Sequence, residues 1–383
     1  MINVAFFVDV GWLGGKNYYR NLLLAISSIH NKKINPIVIV GHKYDDAMIN
    51  EFKNIEIVRT SFLDKFSFFW FLNKIFGGDR LFHLYLVRIG INVLSHTNPS
   101  SNSRLKSIGW IADFQHIHLP HFFSVSEIKK RDSWVRKISK KSNSLIFSSQ
   151  SALSDFKNLN LKSYGQINVL NFAVATKLNN LIGSDELFVK YNIKKPFFYL
   201  PNQFWAHKNH EVVINAVSIL DLKKLNFQIV MTGEEEDGRN PRHFQNLINL
   251  IKKNDLEDTF IFLGLVPYSD VNSLMLHSIA VINPSYFEGW STTVEESKSL
   301  GVHLILSDLP VHREQAEDLA EFFPPNKPSH LALLLASNFD RALKENPATN
   351  INVFSEDDIN NKLNLYGHQY QRIVLDLFDE SKI

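Results

Sequence analysis

Short apolar runs alternate along the chain with longer stretches in which apolar residues recur every three or four positions. In the first half the runs fall at residues 4–8, 37–40, 55–58, 108–112, 144–147 and 167–170. A second set lies at residues 197–200, 227–231, 260–263, 280–283 and 304–307. Runs of this length, rich in Val, Ile and Phe and bounded by Gly, Pro, Asn or Asp, predict strands buried on both faces. Their alternation with helical stretches predicts βαβ units and parallel sheets. The series restarts near Pro196, after a polar stretch at residues 177–195 that reads as a linker. Two α/β domains of similar size are therefore expected, at residues 1–175 and 190–358. The last stretch, residues 359–383, carries apolar positions at Leu363, Tyr366, Tyr370, Ile373, Val374 and Leu377. It predicts a helix that packs back and completes the first domain.

Composition narrows the class. The 383 residues are 45% hydrophobic, enough for two cores when a domain takes roughly 100–200 residues. Charged residues make up 21% and the formal net charge is +2, which argues against disorder and against a dedicated nucleic-acid binder. The absence of cysteine excludes disulfides, thiolate metal sites and cysteine nucleophiles, and fits a cytoplasmic protein. The opening residues put no basic region before the apolar run, so a buried first strand is expected there rather than a secretory leader. No run reaches the roughly 18 apolar residues of a membrane span; residues 66–76 come nearest and are broken by Asn73 and Lys74.

The segment with most chemical content runs from Asn283 to Gly301, reading NPSYFEGWSTTVEESKSLG. It follows a predicted strand, is broken by Pro284 and Gly289, and offers Ser291 or Thr292 as the cap of a helix that ends near Leu300 with Gly301 just beyond. A strand, a loop and a helix start aim free backbone N–H groups and the positive end of a helix dipole at one spot, which suits a diphosphate. Glu288 on the loop and Glu296 in the helix frame it. A carboxylate accepts two hydrogen bonds side by side and so matches vicinal hydroxyls of a ribose or sugar. Taken alone, two glutamates eight apart read first as ordinary acids on a solvated helix.

The surrounding residues carry a resemblance. The pattern Phe-Glu288-Gly-x6-Glu296, with the continuation from Leu300 to Gln315, resembles the Glu-x7-Glu signature of the family 4 retaining glycosyltransferases. The resemblance implies that Glu296 holds the ribose hydroxyls of a nucleotide and that Glu288 lies at the donor sugar. It also implies that the backbone at Gly289, Ser291, Thr292 and Thr293 meets the diphosphate. Residues 200–211, reading LPNQFWAHKNHE, follow the second domain's first strand. A lysine at such a turn neutralises phosphate as a compact charge, although a lone Lys is usually just exposed. By resemblance Lys208 faces the diphosphate. Relatives carry an arginine five or six residues earlier; here Asn202 and Gln203 stand there, amides that hydrogen-bond but bring no charge. Arg239 is one candidate for the missing cation.

In the first domain Gly14 and Gly15 follow the first strand, where a tight turn is the plain reading. The spacing is not a dinucleotide fingerprint. By resemblance these glycines line the donor phosphates. The run Trp110 to Ser124 holds His116, His118 and His121. Three imidazoles suit zinc in principle, but no acid or nucleophile completes a hydrolytic set by spacing. The resemblance makes His116 the residue that reaches toward the donor sugar, with Asp113 and Gln115 on the acceptor side. The aromatic residues 66–76 and the basic residues 129–141 raise a further expectation, peripheral contact with anionic lipid on the inner face of the cytoplasmic membrane. One core helix and one solvated helix are the bland alternatives.

The expectation is thus a GT-B protein, two Rossmann-like domains facing across a cleft, with the nucleotide sugar on the second and the acceptor on the first. It implies a retaining, metal-independent hexosyl transfer from a nucleotide-diphosphate sugar to a glycan or lipid-linked saccharide, in lipopolysaccharide O-antigen or capsule synthesis. Glu288, Lys208 and His116 form the catalytic set. No cofactor, metal or nucleic acid is expected, and no Asp-x-Asp motif occurs. Two other readings stand beside it: a non-catalytic sugar- or lipid-binding relative, and a dinucleotide-dependent oxidoreductase.

Overall fold

The computed structural model describes residues 1–8, 13–44, 52, 54–75, 78–100, 102–176, 181–221, 224–344 and 354–379. The chain divides into two units. The first comprises Met1–Phe114, Val125–Ala175 and Asn360–Ile383; the second comprises Gln115–Ser124 and Thr176–Ile359.

In the first unit β1 (Ile2–Phe6), β2 (Ile34–Val40), β3 (Glu56–Arg59), β4 (Val93–Ser95), β5 (Lys106–Ile111), β6 (Ser144–Phe147) and β7 (Gln166–Val169) form one sheet. All pairs are parallel, in the order β3-β2-β1-β4-β5-β6-β7. The helices are α1 (Leu13–Ser27), α2 (Phe68–Ile75), α3 (Arg80–Arg88), α4 (Val125–Lys141) and α5 (Gln150–Asn158). Successive strand residues point to opposite sides, which sorts the core. Ala5, Ile37, Ile39 and Leu94 pack with Phe82 and Leu86 of α3. Ile111, Leu145 and Phe147 pack with Val135 and Ile138 of α4. The register aligns Ala5 with Leu94 and Leu94 with Ser107, so α3 and α4 cover the same face of the sheet. The opposite face receives the C-terminal helix Glu356–Asp376. Tyr370 from that helix lies 5.8 Å from the ring of Phe6 and donates to Ser95 Oγ at 2.6 Å. Gly367 lets the same helix meet α1 closely, since a Cβ there would stand 2.2 Å from the Ala25 carbonyl oxygen.

The second unit holds β8 (Phe197–Pro201), β9 (Gln228–Thr232), β10 (Phe260–Phe262), β11 (Val281–Asn283), β12 (Leu304–Ser307) and β13 (Ala320–Phe323). They are parallel, in the order β10-β9-β8-β11-β12-β13. Its helices are α6 (Ser184–Tyr191), α7 (His210–Ser218), α8 (His243–Lys253), α9 (Tyr268–His277), α10 (Thr292–Ser299), α11 (Pro310–Ala316) and α12 (Pro328–Lys344). Phe198, Leu200, Ile229, Met231, Ile282 and Ile305 face a core with α7, α8 and α12. Their alternates Phe197, Tyr199, Val230, Val281, Leu304 and Leu306 face a second core with α6, α9 and α10. Burial on both faces is why these strands read as unbroken apolar runs. In each sheet the strand order reverses beside its first strand, between β1 and β4 and between β8 and β11. Sheets of this kind bind ligands outside the carboxyl ends of the strands at that reversal.

Three expectations need correction. The stretch at 177–195 is not simply a linker. Residues 177–180 lie outside the described ones, but α6 packs Leu187 into the second core with Ile193, and Lys190 and Tyr191 both reach Asp270. Strands β4 and β13 were not among the predicted runs. Gly14 and Gly15 sit within the first turn of α1 rather than in a turn ahead of it; residues 9–12 lie outside the described ones.

Candidate functional site

The site is built in the second unit where β8 and β11 end. After β8 the chain passes Asn202, which is buried, and makes a single 3-10 turn at Ala206–Lys208 before α7. Asn209 turns the chain into α7 with a left-handed φ of 56°, a conformation asparagine tolerates better than most residues. Its amide nitrogen donates to the carbonyls of Pro284 at 3.0 Å and Pro325 at 2.8 Å. One side chain thereby fastens three strand-end loops together. Gln203 accepts from the Glu234 N–H at 2.7 Å, so its carbonyl oxygen is committed to the β9 loop. Asp237 accepts from the N–H groups of Ala206 and Arg239 and ties the same two loops from the other side.

After β11 the loop bends back. The Tyr286 N–H donates to the His207 carbonyl at 2.8 Å, which brings residues 284–290 against the 3-10 turn. Lys208 Nζ then donates to Glu288 Oε1 at 2.6 Å, both side chains largely buried. Ser285 Oγ lies 2.7 Å from the same carboxylate oxygen and 2.8 Å from Asn283 Oδ1. Among the described residues no donor reaches Glu288 Oε2. Half of the carboxylate is anchored and half is left to accept from a ligand. Burial would push the Glu288 carboxyl up, but the Lys208 ammonium, His312 and the Ser285 hydroxyl hold it at about 2. It is ionised at any physiological pH.

Ser291 caps α10, its hydroxyl accepting from the Val294 N–H. Its own N–H donates to Gln315 Oε1 at 3.1 Å, and Gln315 Nε2 donates back to the Ser291 carbonyl at 2.7 Å. That clamp engages both the N–H and the carbonyl of Ser291. Thr292 and Thr293 follow it, and N–H groups in a helix's first turn have no partner inside the helix. Gly289 is half-buried on the loop ahead of them. Glu296, one turn further, accepts from the Tyr268 hydroxyl at 2.8 Å and is buried. Glu295, its neighbour, pairs instead with Lys298 and Gln315. Thus Asn202, Gln203, Lys208, Glu288, Gly289, Ser291, Thr292, Thr293 and Glu296 all sit around the ends of β8 and β11.

The other predicted residues lie elsewhere. Gly14 and Gly15 belong to the first unit. Asp113 also belongs there, within 3.8 Å of Arg131. Gln115 and His116 start a one-turn helix, Gln115–His118, that falls in the second unit, and His116 is buried. His118 lies 5.1 Å from the ring of Phe287, and Arg239 stands 4.4 Å over the ring of Phe123. The three histidines do not converge. Among the described residues no group of His, Asp or Glu is arranged to hold a metal. Sequence reasoning missed Asn209, Asn283, Ser285, Ser307, His312 and Gln315. Their signal was polar residues standing where buried strands end.

Residues 184–350 match the family model described as glycosyl transferases group 1. Over 86 residues the chain is 33% identical to the O-antigen biosynthesis glycosyltransferase WclY of Escherichia coli, spanning 22% of this chain and 24% of that protein. A glycosyltransferase from Rickettsia africae superposes with a TM-score of 0.68 at 15% identity, covering 99% of this chain and 98% of the other. Anabaena Alr3699/HepE, solved in complex with UDP and glucose, gives 0.68 at 13% identity, covering 99% and 100%. The chain therefore has the GT-B fold of two Rossmann-like units, and its second unit carries a match to the glycosyl transferases group 1 family.

Proposed function

We propose that this protein is a retaining glycosyltransferase that moves a sugar from a nucleotide-diphosphate sugar to a glycan or lipid-linked saccharide in bacterial surface polysaccharide synthesis. The observation that carries the reading is the Lys208–Glu288 pair, 2.6 Å apart at the ends of β8 and β11 and ahead of the start of α10. As the bond from the anomeric carbon to the diphosphate breaks, negative charge gathers on the leaving phosphate. Lys208 and the first N–H groups of α10 offset that charge. Asn202 supplies a neutral donor in place of the arginine of relatives, since its buried amide nitrogen has no partner among the described residues. Glu288 Oε2 accepts from a sugar hydroxyl and Glu296 from the ribose. The acceptor oxygen attacks from the face the diphosphate leaves, and its proton passes to the departing phosphate. His116 joins the donor sugar, Gly14 and Gly15 the donor phosphates, and Asp113 and Gln115 the acceptor. No metal or cofactor takes part. The UDP of HepE and the O-antigen role in the name of WclY support the substrate classes.

Incubation with UDP-, GDP- and TDP-sugars, read as released nucleoside diphosphate, tests this. Release from at least one donor, unaffected by EDTA, is expected. No release, with quenching of NADH or NADPH fluorescence on binding, would move the reading to an oxidoreductase.

We also assign peripheral contact with an anionic membrane surface to the first unit. No helix among the described residues is long and apolar enough to cross a membrane. Phe69 of α2 lies 5.1 Å from the ring of Phe62, and Phe68, Phe69, Phe71 and Ile75 are all exposed; Phe76 lies outside the described residues. Lys129, Lys130, Arg136, Lys137, Lys140 and Lys141 are exposed on α4, which covers the same sheet face as α3, the helix next to α2. An exposed aromatic helix and a basic helix in one unit fit anionic lipid, and the expected location is the inner face of the cytoplasmic membrane.

A further inference from the structure

His312 is wholly buried on α11 and, beyond its electrostatic effect on Glu288, has no role above. Its Nδ1 stands 2.8 Å from the Ser307 carbonyl oxygen. A carbonyl can only accept, so Nδ1 carries the proton and the ring is oriented by that bond. Nδ1 also lies 3.3 Å from Ser307 Oγ, and that hydroxyl donates to the Ser285 carbonyl at 2.6 Å. Ser285 in turn places its hydroxyl on Glu288 Oε1 at 2.7 Å. The order His312, Ser307, Ser285, Glu288 runs from α11, past the end of β12, into the loop after β11. Every member is buried or nearly so. In close packing a shift of one member displaces the next.

We infer that His312 is a positioning residue for Glu288, setting through Ser307 and Ser285 which way the free carboxylate oxygen faces. The inference rests on the glycosyltransferase reading for its kinetic consequence, but not for its geometry. Misplacement of Glu288 disturbs a group at the transferred sugar and leaves Glu296, at the ribose, alone. Its signature is therefore in turnover rather than in nucleotide affinity.

The test compares His312→Leu, which removes the Nδ1 donor, with His312→Asn, whose amide nitrogen can replace it. Ser307→Ala, which deletes only the relaying hydroxyl, covers the case in which His312→Leu fails to fold. Glutamate side chains are labelled with carboxyl 13C, and Glu288→Gln identifies the Glu288 resonance at neutral pH without any ligand. The resonance is expected to shift in His312→Leu and Ser307→Ala and to return in His312→Asn. With the best donor sugar, kcat is expected to fall between about ten- and a hundredfold in His312→Leu, with KM and the binding of UDP and GDP unchanged. His312→Asn recovers most of the loss. An unmoved Glu288 resonance in His312→Leu and Ser307→Ala would overturn the proposal, as would equal losses in the Leu and Asn variants together with lost UDP and GDP binding. If wild-type protein turns over no sugar donor, the glycosyltransferase reading fails while the resonance still judges His312.

Discussion

Lys208 is a cation whose surroundings decide its worth. In water an ion pair contributes little; here the lysine is 15% exposed and its carboxylate partner 9%, and the pair is fixed against the end of β11. Lys208→Ala is expected to lower kcat by about 10²–10³-fold, the usual loss when one stabiliser of a leaving oxyanion is removed. Lys208→Arg should not restore it, because a planar fork does not fit the place of a point charge. Release of nucleotide from the donor checks both. His210 gives a prediction in pH. Its ring is fully buried, 4.7 Å from Phe204, and burial, then the charges of His243 and Lys208, pull its pKa down to about 3. The unfolded chain takes up that proton first, so the folded state is favoured fully above the ordinary histidine range and loses ground as pH falls from there toward 3. Each pH unit in that window costs about 1.4 kcal/mol. His210→Phe should therefore lose about 2 kcal/mol less stability than wild type between pH 6.5 and 5, measured by urea unfolding. At this scale Glu288, Glu296 and Lys208 stood out only through the family resemblance, since spacing alone left them as ordinary exposed residues. Asn209, Ser285, Ser307 and Gln315 did not, because serines and amides are common in any loop and only burial in three dimensions marks these.

Elements were legible where an apolar run was long enough to show period and length together. Strand β4 has three residues between Asn92 and His96, and β13 is an edge strand with only Phe323 fully buried. Neither rises above the background of a loop. Helix α6 was hidden by its charges, its burial resting on Leu187 with Ile193 just beyond. Helix α2 was foreseen as either a core helix or an interfacial one. Its exposed aromatic residues, with Phe68 at 69% and Phe71 at 57%, remove the first choice. Replacing both by serine should weaken binding to phosphatidylglycerol-containing vesicles at least about tenfold in co-sedimentation, since each phenylalanine contributes about 1.5–3 kcal/mol when buried. Equal binding to neutral vesicles, insensitive to salt, would reject the electrostatic part. Gly367 sets the approach of the C-terminal helix to α1. Gly367→Ala must push the two helices apart at the Ala25 carbonyl and should destabilise the first unit by about 2 kcal/mol or more, read by denaturant unfolding.

For the whole molecule, the restart of the strand series near Pro196 announced two parallel sheets, and both are there. The way the chain weaves between them was less visible. Residues Gln115–Ser124 leave the first unit's sequence and group with the second, a contact made at long sequence separation that no local pattern encodes. The return of residues beyond Asn360 to the first unit rests on side chains such as Tyr366 and Tyr370, which are wholly or almost wholly buried there.

That return has a consequence for how the protein is made. A ribosome delivers β1 through β7 early, and α1 with them covers part of the sheet side that carries Phe6 and Ser95, yet Tyr370, the partner of Ser95, arrives only with the final helix. The unit begun first is completed last, after the whole of the other has had time to fold.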